Sequence, residues 1–146
     1  MIYTEMTRKA MKIAFEAHKD QVDKNGDPYI FHPIHIAEQM DSEEAIIVSL
    51  LHDVVEDTDW TIEDLAQQGF SSNIISALIL LTHNSETAYL DYVWEIALSA
   101  NIYAKIVKLE DLQHNSDLSR FSVLDEKTLG RVDKYRKAIE ILEHNQ

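Results

Sequence analysis

Apolar residues recur at helical spacing along nearly the whole chain. Met6, Ala10, Ile13, Ala14 and Ala17 mark one face of a first helix over 4–20. A loop over 21–33 follows and turns at Gly26-Asp27-Pro28. Pro33 suits the first turn of a short helix over 34–40. Asp41 or Ser42 can cap the next helix, which is apolar almost all round from Ala45 to Val55 and so belongs at the centre of the fold. Thr61-Ile62-Glu63-Asp64 reads as a capping box that opens a short helix, stopped at Gly69. Further helices are predicted over 72–83, over 86–99 with Tyr89, Val93, Ile96 and Ala97 on one face, and over 102–115 with Ile102, Ile106 and Leu109 towards the core. The last, over 125–144, buries Leu129, Val132, the stem of Arg136, Ile139 and Leu142. The pattern predicts an all-α bundle of seven or eight helices forming a single domain over 1–146, without internal repeat or linker.

Composition narrows this picture. Three glycines and two prolines in 146 residues leave too few turn formers for a sandwich or barrel. There is no cysteine, which excludes a disulfide scaffold and a thiolate zinc site. Any metal must then be held by His, Asp and Glu, a donor set that suits manganese, iron, magnesium or zinc. The formal charge of −13 repels nucleic-acid backbones and anionic membranes, so an anionic substrate would need a local cation. The richest apolar runs, Ala45–Leu51 and Ile74–Leu81, are too short to span a bilayer. The N-terminus has no signal-peptide pattern, and the expected location is the cytoplasm.

Three clusters carry the candidate chemistry. His52-Asp53-Val54-Val55-Glu56-Asp57 sets an imidazole and three carboxylates directly after a run of apolar residues. Burying such charges costs several kcal/mol per ion unless they are paired or coordinated, and a metal would resolve that cost. A solvated helix end is the plain alternative. His32, beside Pro33, could be a further ligand or a surface histidine, and His35 competes with it one turn on. Asp111 and Asn115 share a helix face at i, i+4, as ligand and neighbour or as an ordinary polar helix end. His18, His83 and His114 read as structural, His114 with the option of supporting a ligand. Tyr89, Tyr92, Trp94 and Tyr103 read as packing before base stacking.

Taken together, the order H…HD…D resembles the HD superfamily of metal-dependent phosphohydrolases. AHKDQVDKNGDPYIFHPIHIA resembles the AH-x-GQ-x-RK-x-G-x-PYI-x-HP loop of the Rel/Spo alarmone hydrolases, SLLHDVVEDT their ALLHDVVEDT, and VKLEDLQHN their IKLADRLHN. The likeness runs from about residue 14 to 116. It implies that His32, His52, Asp53 and Asp111 ligate one divalent cation, usually manganese, and that Glu56 and Asp57 orient and deprotonate the attacking water. It also implies that Asn115 contacts the nucleoside. Lys24 falls on the family's loop lysine and could contact phosphate. The implied reaction is removal of a 3′-pyrophosphate from guanosine tetra- or pentaphosphate. Asp23 stands where the family has a guanine-stacking Arg, and Leu112 and Asp117 stand where basic residues are usual, so the sequence predicts a substrate side poor in cations. An HD nucleotidase releasing orthophosphate and a non-catalytic nucleotide-binding module are the competing readings. The expected partner in each is a small phosphorylated nucleotide, neither a nucleic-acid duplex nor a membrane.

Overall fold

A computed structural model describes residues 1–145. The elements run α1 (Glu5–His18), α2 (Phe31–Glu38), α3 (Glu43–Leu51), α4 (Val54–Asp57), α5 (Ile62–Gln67), α6 (Ser72–Leu81), α7 (Tyr89–Leu98), α8 (Ile102–Asn115), a 3-10 turn (Leu118–Arg120) and α9 (Glu126–His144). There is no strand among the described residues; Val22 and Pro28 form one isolated bridge. The all-α expectation holds, and among the described residues the eight segments of the sequence pattern become nine because one of them is broken. No helix of the described residues is long and apolar enough to cross a membrane.

Local chemistry sets most of the boundaries. Thr4 and Thr61 close capping boxes at α1 and α5, and the side chains of Ser42, Ser71, Asn101 and Asp125 accept first-turn N–H groups of α3, α6, α8 and α9. Gly69 takes φ +93 just beyond α5, a left-handed backbone that stops the helix and that glycine adopts without a Cβ penalty. Three places differ from the sequence pattern, one of them α7, which starts at Tyr89 and not at 86. Helix α2 begins at Phe31, so Pro33 lies inside its first turn and His32 belongs to the helix. The predicted helix over Ala45–Val55 is interrupted at His52 and Asp53. His52 Nδ1–H donates to the Ser49 carbonyl at 2.6 Å, competing for the oxygen that a continuous ladder would give to the Asp53 N–H.

Every residue of α3 from Ala45 to Leu51 is buried, and α1, α2, α6 and α8 pack around this helix. It is the axis of the core. The buried face of α8 is Ala104, Val107, Lys108, Asp111 and Leu112, rotated from the face expected: Ile102 is exposed and Ile106 and Leu109 are only half-buried. In α9 the expected Val132 and Leu142 are buried and Ile139 packs partly against the core. The helix also buries Thr128 and Ala138, whereas Leu129 and Arg136 are exposed. Trp94 is also exposed. On α8 several apolar residues lie on adjacent faces, and the fold uses the neighbouring one.

Leu112 is fully buried in the core and is no part of a substrate surface. Leu112→Ala should therefore cost about 2–5 kcal/mol in urea unfolding, the range for a buried Leu truncation. A cost below about 0.5 kcal/mol would be that of a surface position.

Candidate active site

Three parts of the chain converge on one point: His32 from the first turn of α2, His52 and Asp53 from the break between α3 and α4, and Asp111 from α8. One ligand-capable atom from each lies within 4.8 Å of all the others. His32 Nε2 is 2.8 Å from Asp111 Oδ1, and His52 Nε2 is 3.0 Å from Asp53 Oδ2 and 3.4 Å from Asp111 Oδ1. Consecutive residues on a regular helix project about 100° apart. The break after Leu51 lets His52 and Asp53 reach the same point.

The surrounding bonds orient the two imidazoles. With His52 Nδ1–H given to Ser49, the buried Nε2 is the position turned to Asp53 and Asp111. His32 Nδ1 lies 2.7 Å from His114 Nδ1. Burial, and then the nearby Arg120, push the His114 pKa down to about 3. The neutral His114 ring can accept from His32 Nδ1–H, which frees His32 Nε2 towards Asp111. An outer partner of this kind is the usual device for fixing a metal-binding histidine. His35 is exposed and stacks on His114 at 4.0 Å between ring centres, so it supports this partner and does not join the four.

The carboxylates are held as firmly. Lys108 Nζ–H donates to Asp111 Oδ2 at 2.9 Å and Asn115 Nδ2–H to Oδ1 at 3.1 Å. The Lys108 ammonium is buried over the rings of Tyr89 and Tyr92, at 5.6 and 5.3 Å from their centres. The Tyr29 hydroxyl donates to Asp53 Oδ2. Burial opposes charge on all these groups. His52 nonetheless holds the Asp53 carboxyl down to about 2, and Lys108 and the two histidines hold Asp111 well below the usual carboxylate range. In return, Asp53 and Asp111 raise the His52 pKa well above its ordinary value despite burial. The buried Asp111 and the half-buried Asp53 thus face two imidazole Nε2 atoms. Two nitrogens and two carboxylate oxygens at these separations fit one divalent cation.

Glu56 and Asp57 lie outside this group of four. Glu56 Oε1 accepts from the His83 backbone N–H at 2.6 Å. The Asp57 carboxyl is pushed up to about 6, by burial and then by the charges of Asp53 and Glu56. The Asp57 carbonyl accepts from Gln21 Nε2 at 2.9 Å, and Gln21 Oε1 is bonded to His18 Nδ1 at 2.8 Å, so His18 serves as a buried strut for α4. His83 Nε2–H donates to the Thr87 carbonyl at 2.6 Å.

Beside His32 a cavity of about 350 Å³ opens, lined among others by Lys24, Tyr29, Asn115, Arg120, Arg131 and Tyr135. Lys24 and Asn115 are therefore on its wall. Asp23 also borders it, but Asp23 Oδ1 accepts from the N–H groups of Asn25 and Asp27 at 2.9 and 3.0 Å and so caps the Gly26 turn. The expectation of a wall poor in cations is corrected here, because Arg120 and Arg131 supply guanidinium groups from distant sequence. Neither carried a sequence signal: Arg131 sits among alternating charges on an amphipathic helix, and Arg120 in an irregular turn. Lys108 and Tyr29 were missed as supports of the carboxylates, although both fall inside the motif-bearing segments.

Comparison with known proteins gives the chain's family and its fold. A family model described as an HD domain matches residues 10–93. The chain is 33% identical over 140 residues to the guanosine-3′,5′-bis(diphosphate) 3′-pyrophosphohydrolase of Haemophilus influenzae, covering 86% of this chain and 19% of that protein. It is 41% identical over 64 residues to the bifunctional (p)ppGpp synthase/hydrolase SpoT of Escherichia coli, covering 41% of this chain and 9% of that protein. The chain thus spans less than a fifth of the length of these curated relatives. A solved structure of a metazoan ortholog of SpoT that hydrolyzes ppGpp superposes with a TM-score of 0.81 at 22% identity, covering 100% of this chain and 90% of that one. The likeness extends to the fold of the whole bundle.

Proposed function

The chain belongs to the HD domain family, and we propose that residues 1–146 act as one metal-dependent phosphohydrolase unit that removes the 3′-pyrophosphate from guanosine tetra- or pentaphosphate. The observation that carries this reading is the convergence of one ligand-capable atom each from His32, His52, Asp53 and Asp111, all within 4.8 Å of one another, beside a cavity lined by cations. The pyrophosphohydrolase names of relatives that cover most of this chain support the choice of substrate.

His32, His52, Asp53 and Asp111 would hold the cation; two imidazoles and two carboxylates without thiolate suit manganese, iron, magnesium or zinc, and manganese is the ion that the family resemblance implies. When bound, the cation supplies Lewis acidity towards a phosphoryl oxygen and neutralises its charge. The other roles belong to the chain's own side chains. Lys108 and Tyr29 position Asp111 and Asp53 through one hydrogen bond each. Asp57, whose pKa lies close to neutral pH, takes the proton of the attacking water. Glu56, anchored on the His83 amide, orients that water with its second oxygen. Asn115 and Lys24 hold nucleoside and phosphate from the cavity wall.

The products test the reading. Incubation of the chain with guanosine tetraphosphate and manganese is expected to yield guanosine 5′-diphosphate and pyrophosphate in equal amounts. Release of orthophosphate alone would instead indicate a nucleotidase. Tight binding without any product would indicate a nucleotide-binding module.

A further inference from the structure

Helix α4 is a single turn of four residues, Val54–Asp57. A helix this short has little stability of its own, so contacts from outside must hold it in place. Among the described residues, two side-chain hydrogen bonds tie it to other elements. Glu56 Oε1 accepts from the His83 N–H at 2.6 Å, and the Asp57 carbonyl accepts from Gln21 Nε2 at 2.9 Å. The second tie comes from the root of the loop that follows α1, and it holds the very residue that carries the candidate base.

Gln21 joins three parts of the chain. A carbonyl can only accept, so the Gln21 amide turns its NH2 group to Asp57 and its Oε1 to His18. His18 Nδ1 then carries the proton and donates to Oε1 at 2.8 Å. His18 is fully buried, and burial lowers its pKa. Its Nε2 has no hydrogen-bond partner among the described residues, so the bond to Gln21 is the one that fixes this ring. In the main chain, the Gln21 N–H donates to the His18 carbonyl at 2.9 Å, and the Gln21 carbonyl accepts from the Tyr29 N–H at 3.0 Å. The stretch between Gln21 and Tyr29 carries Lys24 of the cavity wall, and Tyr29 both lines the cavity and bonds Asp53. The Gln21 side chain therefore spans from the foot of this wall to the turn that carries Asp57.

We propose that Gln21, set by His18, is a positioning residue for the Asp57 carboxylate, fixing the one-turn helix α4 against the loop that lines the cavity. The assignment rests on the hydrolase reading above, in which Asp57 takes the proton of the attacking water. Gln21 touches no reacting atom. It acts on the distance and angle between Asp57 and a substrate seated against the loop. A shift of about 1 Å in a catalytic group can cost on the order of 100-fold in rate, and the loss of one of two ties leaves α4 free to sample other positions.

Gln21→Met keeps the length of the side chain and removes both of its hydrogen bonds. It should lower kcat for pyrophosphate release from guanosine tetraphosphate about 10-fold, with KM and manganese content unchanged, since the misplaced group acts only in the transition state. Gln21→Glu keeps an acceptor for His18 Nδ1–H but offers no donor to the Asp57 carbonyl, and it should be slowed to a similar degree. In an Asp57→Asn chain no base remains to be positioned, so adding Gln21→Met should change the residual kcat by less than about 2-fold. Wild-type kcat in Gln21→Met would mean that the residue serves stability alone, and an equal loss in both backgrounds would mean that it acts through something other than Asp57. Either result overturns the proposal. Amide hydrogen exchange reads the same tie without turnover. The Asp57 and Thr58 N–H groups are bonded to the Asp53 and Val54 carbonyls at 3.0 and 3.1 Å. They should exchange about 5–10-fold faster in Gln21→Met, while the amides of α3 keep their rates. Unchanged exchange at both also overturns the proposal. A wild-type chain that releases no pyrophosphate, with exchange still accelerated in Gln21→Met, overturns the hydrolase reading and leaves the tie from His18 through Gln21 to α4 standing.

Discussion

Replacement of Asp57 by Asn, or of Glu56 by Gln, is expected to slow turnover on the order of 100-fold or more, the usual worth of a general base, while metal content stays unchanged. Both substitutions keep the shape and remove the charge. Gln at 56 can still accept the His83 N–H, so α4 should remain in place. Neither carboxylate belongs to the group of four whose ligand atoms lie within 4.8 Å, so neither change should release a cation. The pH dependence follows from the direction of the Asp57 shift. Burial, Asp53 and Glu56 raise its carboxyl to about 6, so the unprotonated base is lost as the pH falls through that region. A bound cation adds positive charge nearby and favours the carboxylate. The acid limb of kcat should therefore lie at or below about 6, and it should vanish from the residual activity of Asp57→Asn. Full activity in both variants would remove the pair from the mechanism. Loss of metal in either would make that residue a ligand.

Asp111→Ala should produce the largest loss of stability, roughly 3–5 kcal/mol in urea unfolding, together with loss of metal binding. Asp111 does two jobs. Its Oδ1 faces His32 and His52, and its Oδ2 accepts from the buried Lys108 ammonium at 2.9 Å. Burial alone would lower the Lys108 pKa, and it is Asp111 that holds it well above its ordinary value. Removal of the carboxylate leaves an ammonium with only the faces of Tyr89 and Tyr92 for company. Asp111→Ala combined with Lys108→Met should regain much of the lost stability, because no lone charge remains buried, yet it should still bind no metal. A single-variant loss below about 1 kcal/mol, or a double variant no more stable than the single one, would contradict the role given to this pair.

The sequence pattern was most legible where one residue type decides the local structure. Thr4, Ser42, Thr61 and Asp125 mark helix starts because a side-chain oxygen accepts a first-turn N–H, a local event that needs no tertiary contact. The uniformly apolar run from Ala45 marked the central helix for the same reason: a helix with no polar face can only be buried. The break at His52 was hidden, since it depends on an imidazole turning back to the Ser49 carbonyl, and helical periodicity contains nothing of that choice. The buried stripe of α8, and Leu129 on α9, were hidden because Ile102, Leu109 and Leu129 are as apolar as the residues the fold buries. In the candidate site, the clustering of His52, Asp53, Glu56 and Asp57 could be read along the chain. The cationic wall could not, because Lys24, Arg120 and Arg131 come from three separate elements and meet only in the folded bundle. Asp23 caps the Gly26 turn, the plainer of the two readings that its position in the loop allows.

The dependence of pyrophosphate release on added metal tests the central claim most directly. Protein stripped with a chelator and assayed with guanosine tetraphosphate should show no release. Activity should return with manganese in proportion to occupancy and saturate at one ion per chain, and His52→Ala should not recover at the same metal concentration. An equal rate in stripped and manganese-loaded protein would contradict the account, because His32, His52, Asp53 and Asp111 would then have no cation to hold in catalysis.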